Sequence, residues 1–257
     1  MYDVIIVGAG MAGLTAAIYA ARARQSVLVL ERRIQGGQIV TSSKIANWPG
    51  EPGISGEELM KKIYNQARDL GVEIRYESVE KVTEGSNDKL ARFKVTTDES
   101  EYTCGAVIIA TGTEPRKLSE KQAREAGARP VSYCATCDGA FYAGKPVVVV
   151  GSGNTAKHEM EYLEKIASKV YHIHHDDPIP EDAEAVFVAI GRVPETEVFE
   201  GLVELDEAGY IVAGEDCHTS REGVFVAGDS RTKILHQLVT AAADGAVAAT
   251  EAVKFLG

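Results

Sequence analysis

The sequence is poor in cysteine and in positive charge, and it has no long apolar run. Four cysteines in 257 residues are too few for a disulfide scaffold. In a cytosolic protein, a close pair of cysteines is more often catalytic or metal-binding than structural. No apolar stretch approaches the roughly 18–20 residues that cross a bilayer, so we expect no membrane segment. The net charge of −11 argues against general binding of nucleic acid or anionic membranes.

The chain also has no leader-like start. It runs directly into an apolar strand after Met1, with no basic segment and no cleavage site before it. We therefore expect a cytoplasmic protein. The length allows one or two domains with a sizeable core, and the mixture of apolar and charged residues is ordinary for a globular protein.

The N-terminal segment carries a dinucleotide-type fingerprint. The apolar run at residues 4–7 leads into Gly8-Ala9-Gly10-Met11-Ala12-Gly13, and a helix is predicted from Leu14 to Ala23. A second apolar run at 27–30 ends at Glu31, 18 positions after the last glycine. Strand, glycine turn, helix, strand and acid together predict a nucleotide site, in which the carboxylate would bind a ribose.

Each glycine of this turn has its own role in such a site. Gly8 allows the tight turn, Gly10 lets the backbone approach a pyrophosphate, and Gly13 lets the helix pack closely on the strand. The N–H groups at the start of the helix would then face the phosphates.

Two cysteines, Cys134 and Cys137, are separated by two residues. They precede a second predicted strand at 147–150 and a second glycine turn at 151–156. Such a pair can form a small disulfide loop or half of a metal site. In a Cys-x-x-Cys pair one thiol pKa can be low enough for thiol–disulfide exchange near neutral pH. A structural zinc site usually needs four ligands. The other cysteines and nearby histidines are isolated or on another strand, namely Cys104, Cys217, His172, His174 and His175.

The remaining patterns suggest an α/β protein. Residues 57–70 have helical periodicity, whereas 72–102 alternate as in an antiparallel meander. An apolar run at 185–191 predicts another strand, and a later strand ends at Gly228-Asp229. An Ala-rich helix is predicted from about Gln237 to Leu256. Asp229 could contact a cofactor hydroxyl or simply cap the final region.

The motifs together resemble the low-molecular-weight, FAD-dependent thioredoxin reductases. The matching segments run from the first strand to the last helix: Gly8–Gly13 with Glu31, Gly36-Gly37-Gln38, Ala110-Thr111-Gly112, Cys134-Ala135-Thr136-Cys137-Asp138-Gly139, Ala227-Gly228-Asp229 and 240–245. The resemblance implies two Rossmann-like three-layer domains. The FAD domain would comprise residues 1–115 and 185–257, with an antiparallel insertion, and a shortened second domain, 116–184, would carry a redox disulfide.

The resemblance also implies roles for individual residues. Cys134 would attack the protein substrate, Cys137 would face the flavin, and Asp138 would supply a proton. The flavin would provide the two-electron step. The implied FAD contacts are Gly8, Gly10, Met11, Ala12, Gly13, Glu31, Arg32, Gly37, Gln38, Asn47, Ala110, Thr111, Gly112, Gly228, Asp229, His236, Gln237 and Leu238. The implied partners are thioredoxin and a second copy of the chain.

The second glycine turn departs from this resemblance. NADPH-using members have a His-Arg-Arg type cluster after the second strand, where this chain has His174-His175-Asp176. An aspartate would repel the 2′-phosphate, and a neutral histidine is a poor substitute for a bidentate arginine. Strands of that domain are also missing from the pattern. We therefore interpret this turn as one that packs helix on strand, with NADPH binding as the alternative.

The missing NADPH features make the ferredoxin-dependent flavin thioredoxin reductases the nearest resemblance. We expect electrons to pass from ferredoxin through FAD and the cysteine pair to thioredoxin, and the candidate basic surface for an acidic ferredoxin is around Arg231 and Lys233. The alternatives are an NADPH-dependent thioredoxin reductase, an FAD-binding protein without turnover, and a truncated chain.

Overall fold

The computed structural model describes residues 1–86, 88 and 91–257, except for the side chain of Asn154. The chain forms two compact units, one from Met1–Thr113 with Pro194–Gly257 and one from Glu114–Val193. The strands are β1 (Tyr2–Val7), β2 (Val27–Leu30), β3 (Glu73–Arg75), β4 (Val79–Glu84), β5 (Phe93–Thr97), β6 (Glu101–Ile109), β7 (Thr113–Pro115), β8 (Val131–Ser132), β9 (Pro146–Val150), β10 (Lys169–Ile173), β11 (Ala185–Val188), β12 (Arg192–Pro194) and β13 (Val224–Val226). The α-helices are α1 (Met11–Arg22), α2 (Gly56–Asp69), α3 (Glu120–Ala126), α4 (Ala135–Asp138), α5 (Asn154–Leu163) and α6 (Leu238–Leu256).

The first unit is built on a seven-stranded sheet in the order β3-β2-β1-β6-β5-β4, with β13 also paired to β6. The pairs β1/β2, β1/β6, β2/β3 and β6/β13 are parallel, whereas β4/β5 and β5/β6 are antiparallel. Residues 4–7 of β1 and all of β2 are apolar and buried, as expected for central parallel strands. Helices α1, α2 and α6 pack on one face of this sheet.

Helices α1 and α6 approach each other closely because small residues line their contact. A Cβ atom at Gly245 would overlap the carbonyl oxygen of Ala12. This contact anchors the start of α1 to the middle of α6, which fixes the helix that follows the first glycine turn.

The second unit has a four-stranded parallel sheet in the order β10-β9-β11-β8. Helix α5 connects β9 to β10 and packs on one face, together with Ala135 of α4. Ala126 of α3 packs on the other face, against Val148 and Val150. The predicted α/β fold class with Rossmann-like sheets is confirmed.

Two details of the predicted organisation are wrong. The segment 73–75, predicted as part of an antiparallel meander, is instead a parallel partner of β2. The predicted domain boundary at 184/185 is too early, because β11 pairs with β9 and β8 and so lies in the second unit, which extends to Val193. The second unit therefore keeps more of its sheet than the sequence pattern suggested.

None of the helices in the described part of the chain is both long and apolar enough to cross a membrane.

Candidate functional site

The first glycine turn has the geometry of a nucleotide cradle. Gly8 has a φ of 109°, and a Cβ atom there would overlap the carbonyl oxygen of Ala110 at the end of the neighbouring strand. A Cβ atom at Gly13 would overlap the carbonyl oxygen of Gly8. Both positions therefore require glycine for packing. Gly10 differs, since a Cβ atom there would meet no protein atom within 4 Å.

The open space at Gly10 lies at the N-terminus of α1. Gly10 is the N-cap of this helix and has no side chain to accept from the first N–H groups, which include those of Met11 and Ala12. Uncapped N–H groups at a helix start are a ready anion site. The turn therefore combines two glycines that packing requires with one that leaves room for a ligand.

Glu31 and the next glycine pair close one side of this turn. Glu31 Oε2 accepts from the N–H of Ala9 at 2.8 Å, and its Oε1 accepts from the N–H of Arg33 at 2.8 Å. The N–H of Gly36 donates to the carbonyl of Ala9 at 2.8 Å, and a Cβ atom at Gly37 would lie 3.6 Å from Gly10 Cα. Glu31 and Gly37 thus lie beside the turn.

Arg32, the residue after Glu31, has an exposed side chain that forms an ion pair with Glu195.

Several predicted flavin-side residues are joined by hydrogen bonds. The Gln38 side-chain amide donates to the carbonyl of Thr113, which follows the Ala110-Thr111-Gly112 segment. Asn47 Nδ2 donates to Gln237 Oε1 at 2.9 Å. Gln237 is also the N-cap of α6, in a capping box with Thr240. Leu238 is the first residue of that helix, and the His236 ring lies 5.8 Å from the Tyr210 ring, centroid to centroid.

Asp229 lies in a short 3₁₀ turn, Gly228–Ser230, directly after β13. It is not the N-cap of α6, which is Gln237. Gly228 has a φ of 81° and donates its N–H to Asp244 Oδ2 at 3.0 Å. Asp244 therefore supports this turn. It belongs to the matching segment 240–245, but the sequence pattern assigned it no role.

The residues present fit a flavin dinucleotide. The hydroxyl oxygen of Thr111 is buried and has no hydrogen-bond partner among the residues that the structure describes. Buried polar atoms are nearly always paired, so such an atom indicates a missing partner. Together with the open space at Gly10, this hydroxyl provides a place for a polar ligand along the carboxyl ends of β1 and β6.

Cys134 and Cys137 form a disulfide in the second unit, with a Cα–Cα distance of 5.3 Å. Cys134 is the N-cap of α4, and both cysteines are partly exposed. Ser132 Oγ donates to Asp138 Oδ2 at 2.7 Å and accepts from the N–H of Cys134 at 3.2 Å. Ser132 thus links Asp138 to the disulfide loop.

Glu159 of α5 is a residue of this site that sequence reasoning missed. Its Oε2 accepts from the N–H of Ala135, the first residue of α4. Burial raises the pKa of the Glu159 carboxyl, the Ala135 N–H opposes this, and the charge of Asp138 adds to it. Nothing in the local sequence pattern distinguishes Glu159 from its exposed helix neighbours, because only the packing of α5 brings it to the disulfide.

The other two cysteines are not placed for redox chemistry. Cys104 and Cys217 are free and buried, and burial raises the pKa of each thiol to about 12. In the described residues, no group of three or more His, Cys, Asp and Glu side chains is arranged to hold a metal ion. The sulfurs of Cys134 and Cys137 are bonded to each other.

The candidate basic surface at Arg231 and Lys233 is wrong. The Arg231 side chain is 2% exposed and that of Lys233 is 4% exposed. Arg231 Nη2 lies 2.9 Å from Asp244 Oδ1, and Lys233 Nζ lies 2.7 Å from Asp244 Oδ2. These cations neutralise a buried carboxylate and present no surface to a partner.

Comparison with known proteins gives the class of this protein. The family model described as pyridine nucleotide-disulphide oxidoreductase matches residues 2–182 and 176–245, so the chain belongs to that family. Within it, the chain is 38% identical to the thioredoxin reductase of Bacillus subtilis, covering 97% of this chain and 93% of the relative. It is 35% identical to that of Peptoclostridium acidaminophilum, covering 100% and 97%.

Solved structures agree with this assignment. The thioredoxin reductase of Streptococcus pyogenes is 32% identical with a TM-score of 0.89, and covers 100% of this chain and 98% of that one. The thioredoxin reductase of Giardia duodenalis is 34% identical with a TM-score of 0.89, covering 99% and 98%. The protein is therefore a thioredoxin reductase-like oxidoreductase, of a class of flavoproteins.

The comparisons also indicate where the chain is shorter than its relatives. The alignment with the Bacillus subtilis protein extends over 297 positions. It includes 97% of this 257-residue chain, which is about 249 residues. About 48 positions of the alignment therefore have no counterpart in this chain. The two stretches of the family match overlap at residues 176–182. This is the segment after β10 at which the sequence pattern suggested missing strands.

Proposed function

We propose that the protein reduces the disulfide of thioredoxin, using FAD in the first unit and the Cys134–Cys137 pair in the second. The observation that carries the proposal is the partly exposed disulfide at the start of α4, with Asp138 linked to its loop through Ser132. A pair of this kind reacts by thiol–disulfide exchange, which needs an accessible thiolate and a proton donor.

The proposed FAD site is formed by residues of the first unit. FAD, when bound, supplies the two-electron reduction that side chains cannot perform. We propose that Gly10, Glu31 and the start of α1 bind its ADP half, and that Thr111, Asn47 and Gln237 contact the flavin half. The support for this is the open space at Gly10 and the buried, unpaired hydroxyl of Thr111.

The exchange itself involves the two cysteines, Asp138 and the substrate disulfide. In the reduced enzyme the Cys134 thiolate attacks one sulfur of thioredoxin, forming a mixed disulfide and releasing the other thioredoxin sulfur as a thiolate. Asp138 supplies the proton for that leaving thiolate. The Cys137 thiol then gives its proton to Asp138, and the resulting thiolate attacks Cys134 Sγ, which restores the Cys134–Cys137 disulfide and expels the second thioredoxin sulfur as a thiolate. That thiolate takes up the proton from Asp138. Two electrons and two protons pass to thioredoxin.

Photoreduced protein mixed with oxidised thioredoxin tests this function without nicotinamide nucleotide or ferredoxin. The yellow flavin absorbance should return rapidly in the wild-type protein and at least about a hundredfold more slowly in Cys137→Ser, since the exchange needs both thiols. Equal rates in the two proteins would contradict the proposal and leave a flavoprotein without this turnover.

For the electron donor, we propose a pyridine nucleotide that enters at the second glycine turn. The family description supports this class of donor. The comparisons give no support for the predicted ferredoxin donor, and the surface expected for it is buried. Anaerobic addition of reduced nicotinamide nucleotide should bleach the flavin band. Bleaching only by reduced ferredoxin would favour the earlier expectation.

We further propose a cytoplasmic homodimer. Light scattering at micromolar concentration should give a mass near 55 kDa, twice the 27.5 kDa of one chain. A mass of one chain would contradict the dimer and leave the proposed chemistry untouched.

A further inference from the structure

The second glycine turn repeats the construction of the first. In each, a buried strand ends in a glycine with left-handed backbone, Gly8 with φ 109° and Gly151 with φ 145°. A Cβ atom on the first would overlap the carbonyl of Ala110, and one on the second would overlap the carbonyl of Ala189. Each turn leads into a helix whose N-cap is again glycine, in the second case Gly153.

The hydrogen bonds of the two turns also correspond. The N–H of Gly8 donates to Leu30 at 2.8 Å, and that of Gly151 donates to Ile173 at 2.9 Å, in both cases to the carbonyl that ends the next parallel strand. A Cβ atom at Gly153 would meet no protein atom within 4 Å, as at Gly10. Packing therefore does not require glycine at 153, and the space in front of α5 is open to a ligand. The turn keeps the form of a dinucleotide site and is more than a packing element.

The correspondence between the two glycine turns identifies the residues that would contact the adenosine ribose of a nucleotide at the second turn. Glu31 follows β2 directly, and the corresponding residue after β10 is His174. His175 and Asp176 come next, in the turn closed by the N–H of Asp177 to the carbonyl of His174 at 3.2 Å. In such folds an acid here binds a ribose 2′-hydroxyl, whereas an arginine nearby holds a 2′-phosphate.

The charges of this turn favour the hydroxyl. The Asp176 side chain lies 3.2 Å from His175 Nδ1, and a hydrogen bond from Ser119 lowers the pKa of its carboxyl, with His175 and Lys121 adding to this. The carboxylate is therefore ionised at neutral pH. Lys121 is the cation at this turn, and its Nζ donates to the main-chain carbonyl of Asp176 at 3.1 Å, with Glu125 4.0 Å away.

From this arrangement we infer that the second turn takes a dinucleotide with a free 2′-hydroxyl, NADH, in preference to NADPH. The inference rests on the proposed pyridine nucleotide donor and specifies its chemical class. Asp176 is the residue that sets the preference, because its carboxylate would lie next to a 2′-phosphate. Like charges brought together in this way weaken binding. His175 and Asp176 occupy the places where a phosphate would need bidentate donors.

Binding of the oxidised nucleotides NAD⁺ and NADP⁺ to the FAD-loaded protein, measured by calorimetry, tests this without turnover. The wild type should bind NAD⁺ at least about tenfold more tightly than NADP⁺. The double variant His175→Arg/Asp176→Asn should bring the ratio to one or reverse it. Asparagine is chosen because it tolerates the left-handed φ of 76° at this position. Glu181→Gln removes an exposed charge in the same unit and should leave the ratio unchanged.

Equal wild-type affinities for the two nucleotides would overturn the inference, as would tighter binding of NADP⁺. Binding of neither at millimolar concentration would also overturn it, because the turn would then hold no dinucleotide. Photoreduced protein that still reduces thioredoxin in any of these cases would show that only the inference has failed. If the protein prefers NAD⁺ as expected but does not reduce thioredoxin, the proposed function has failed and the inference about the nucleotide stands.

Discussion

Asn47 Nδ2 and Gln237 Oε1 lie 2.9 Å apart, so one hydrogen bond joins two side chains that are 190 residues apart in the chain. Asn47 lies in the loop before α2, and Gln237 caps the start of α6. The bond therefore ties the beginning and the end of the first unit together at the proposed flavin site.

Replacing either partner should weaken FAD binding. Asn47→Ala and Gln237→Ala should each lower FAD affinity by about tenfold, since a lost hydrogen bond costs about 1–1.5 kcal/mol. The double variant should lose less than the sum, with a coupling of about 0.5 kcal/mol or more. Fluorescence titration of the apoprotein measures the affinities. Asn65→Ala, an exposed asparagine on α2, is the control. Strict additivity would show that the two side chains act independently.

The glycines at 10 and 13 should respond oppositely to alanine. Gly13→Ala should destabilise the fold by about 1–3 kcal/mol, because the new Cβ atom overlaps the Gly8 carbonyl and the helix must shift. Gly10→Ala meets open space and should cost less, about 0.5–1 kcal/mol, because alanine is a poorer N-cap than glycine. The Gly10 variant should nevertheless lose FAD affinity by at least about tenfold, since the methyl group occupies the pyrophosphate approach.

Thermal melts of the apoproteins and FAD titrations separate the two effects. If the Gly10→Ala protein binds FAD with normal affinity, the pyrophosphate of FAD does not bind at this turn.

The sequence predicted those parts of the fold that depend on local pattern. The apolar runs of β1, β2 and β9 and the glycine turns are local signals, since a central parallel strand is apolar at every position. The unit to which β11 belongs is a matter of pairing, and an apolar run carries no information about its neighbour. The same limit explains β3, which alternates like an antiparallel strand yet pairs with β2 in parallel.

The misplaced candidate site residues have a related cause. Charge in a sequence predicts exposure, and Arg231 and Lys233 were therefore expected at the surface. Their burial depends on Asp244, which α6 brings to them from another part of the chain. Glu159 reaches Ala135 in the same way, through the packing of α5. Local patterns identify which residues have the right chemistry, and tertiary packing decides which of them meet.

Glu159 should make stability depend on pH in a definite direction. Its pKa is raised above the ordinary 4.5, mainly by burial. The contribution to stability is therefore full below pH 4.5 and is lost as the pH rises through the raised value. Glu159→Gln keeps an acceptor for the Ala135 N–H and removes the charge. The variant should melt at a higher temperature than the wild type at pH 7.5 and show no such gain below pH 4.5.

The control for this comparison is Glu161→Gln, which removes an exposed charge from the same helix. An unchanged melting profile for Glu159→Gln across the pH range would show that the carboxyl titrates normally.

The four cysteines should fall into two reactivity classes. After reduction of the disulfide, Cys134 and Cys137 are partly exposed and should alkylate readily at pH 8. Cys104 and Cys217 should react at least about a hundredfold more slowly, because burial raises their pKa values to about 12 and limits access. Mass spectrometry after timed iodoacetamide treatment counts the modified thiols, and four equally fast thiols in the folded protein would contradict the burial. In urea all four should react alike.

Asp244 should contribute most of its stabilisation at neutral pH and lose it in acid. Although burial alone would raise its pKa, hydrogen bonds from Arg231 and Lys233 hold the value below the ordinary 3.8. The stabilisation is therefore present above pH 3.8 and is lost as the pH falls through the lowered value. Asp244→Asn leaves two buried cations with only the exposed Glu215, 3.6 Å from Arg231, as a counter-charge and should cost about 3–5 kcal/mol at pH 7. Denaturant unfolding at pH 7 and pH 3 measures the difference, which should shrink at the lower pH. Glu251→Gln on the same helix should cost much less, because its ion pairs are near the surface. A loss for Asp244→Asn no larger than this control would mean that water, and not the carboxylate, compensates Arg231 and Lys233.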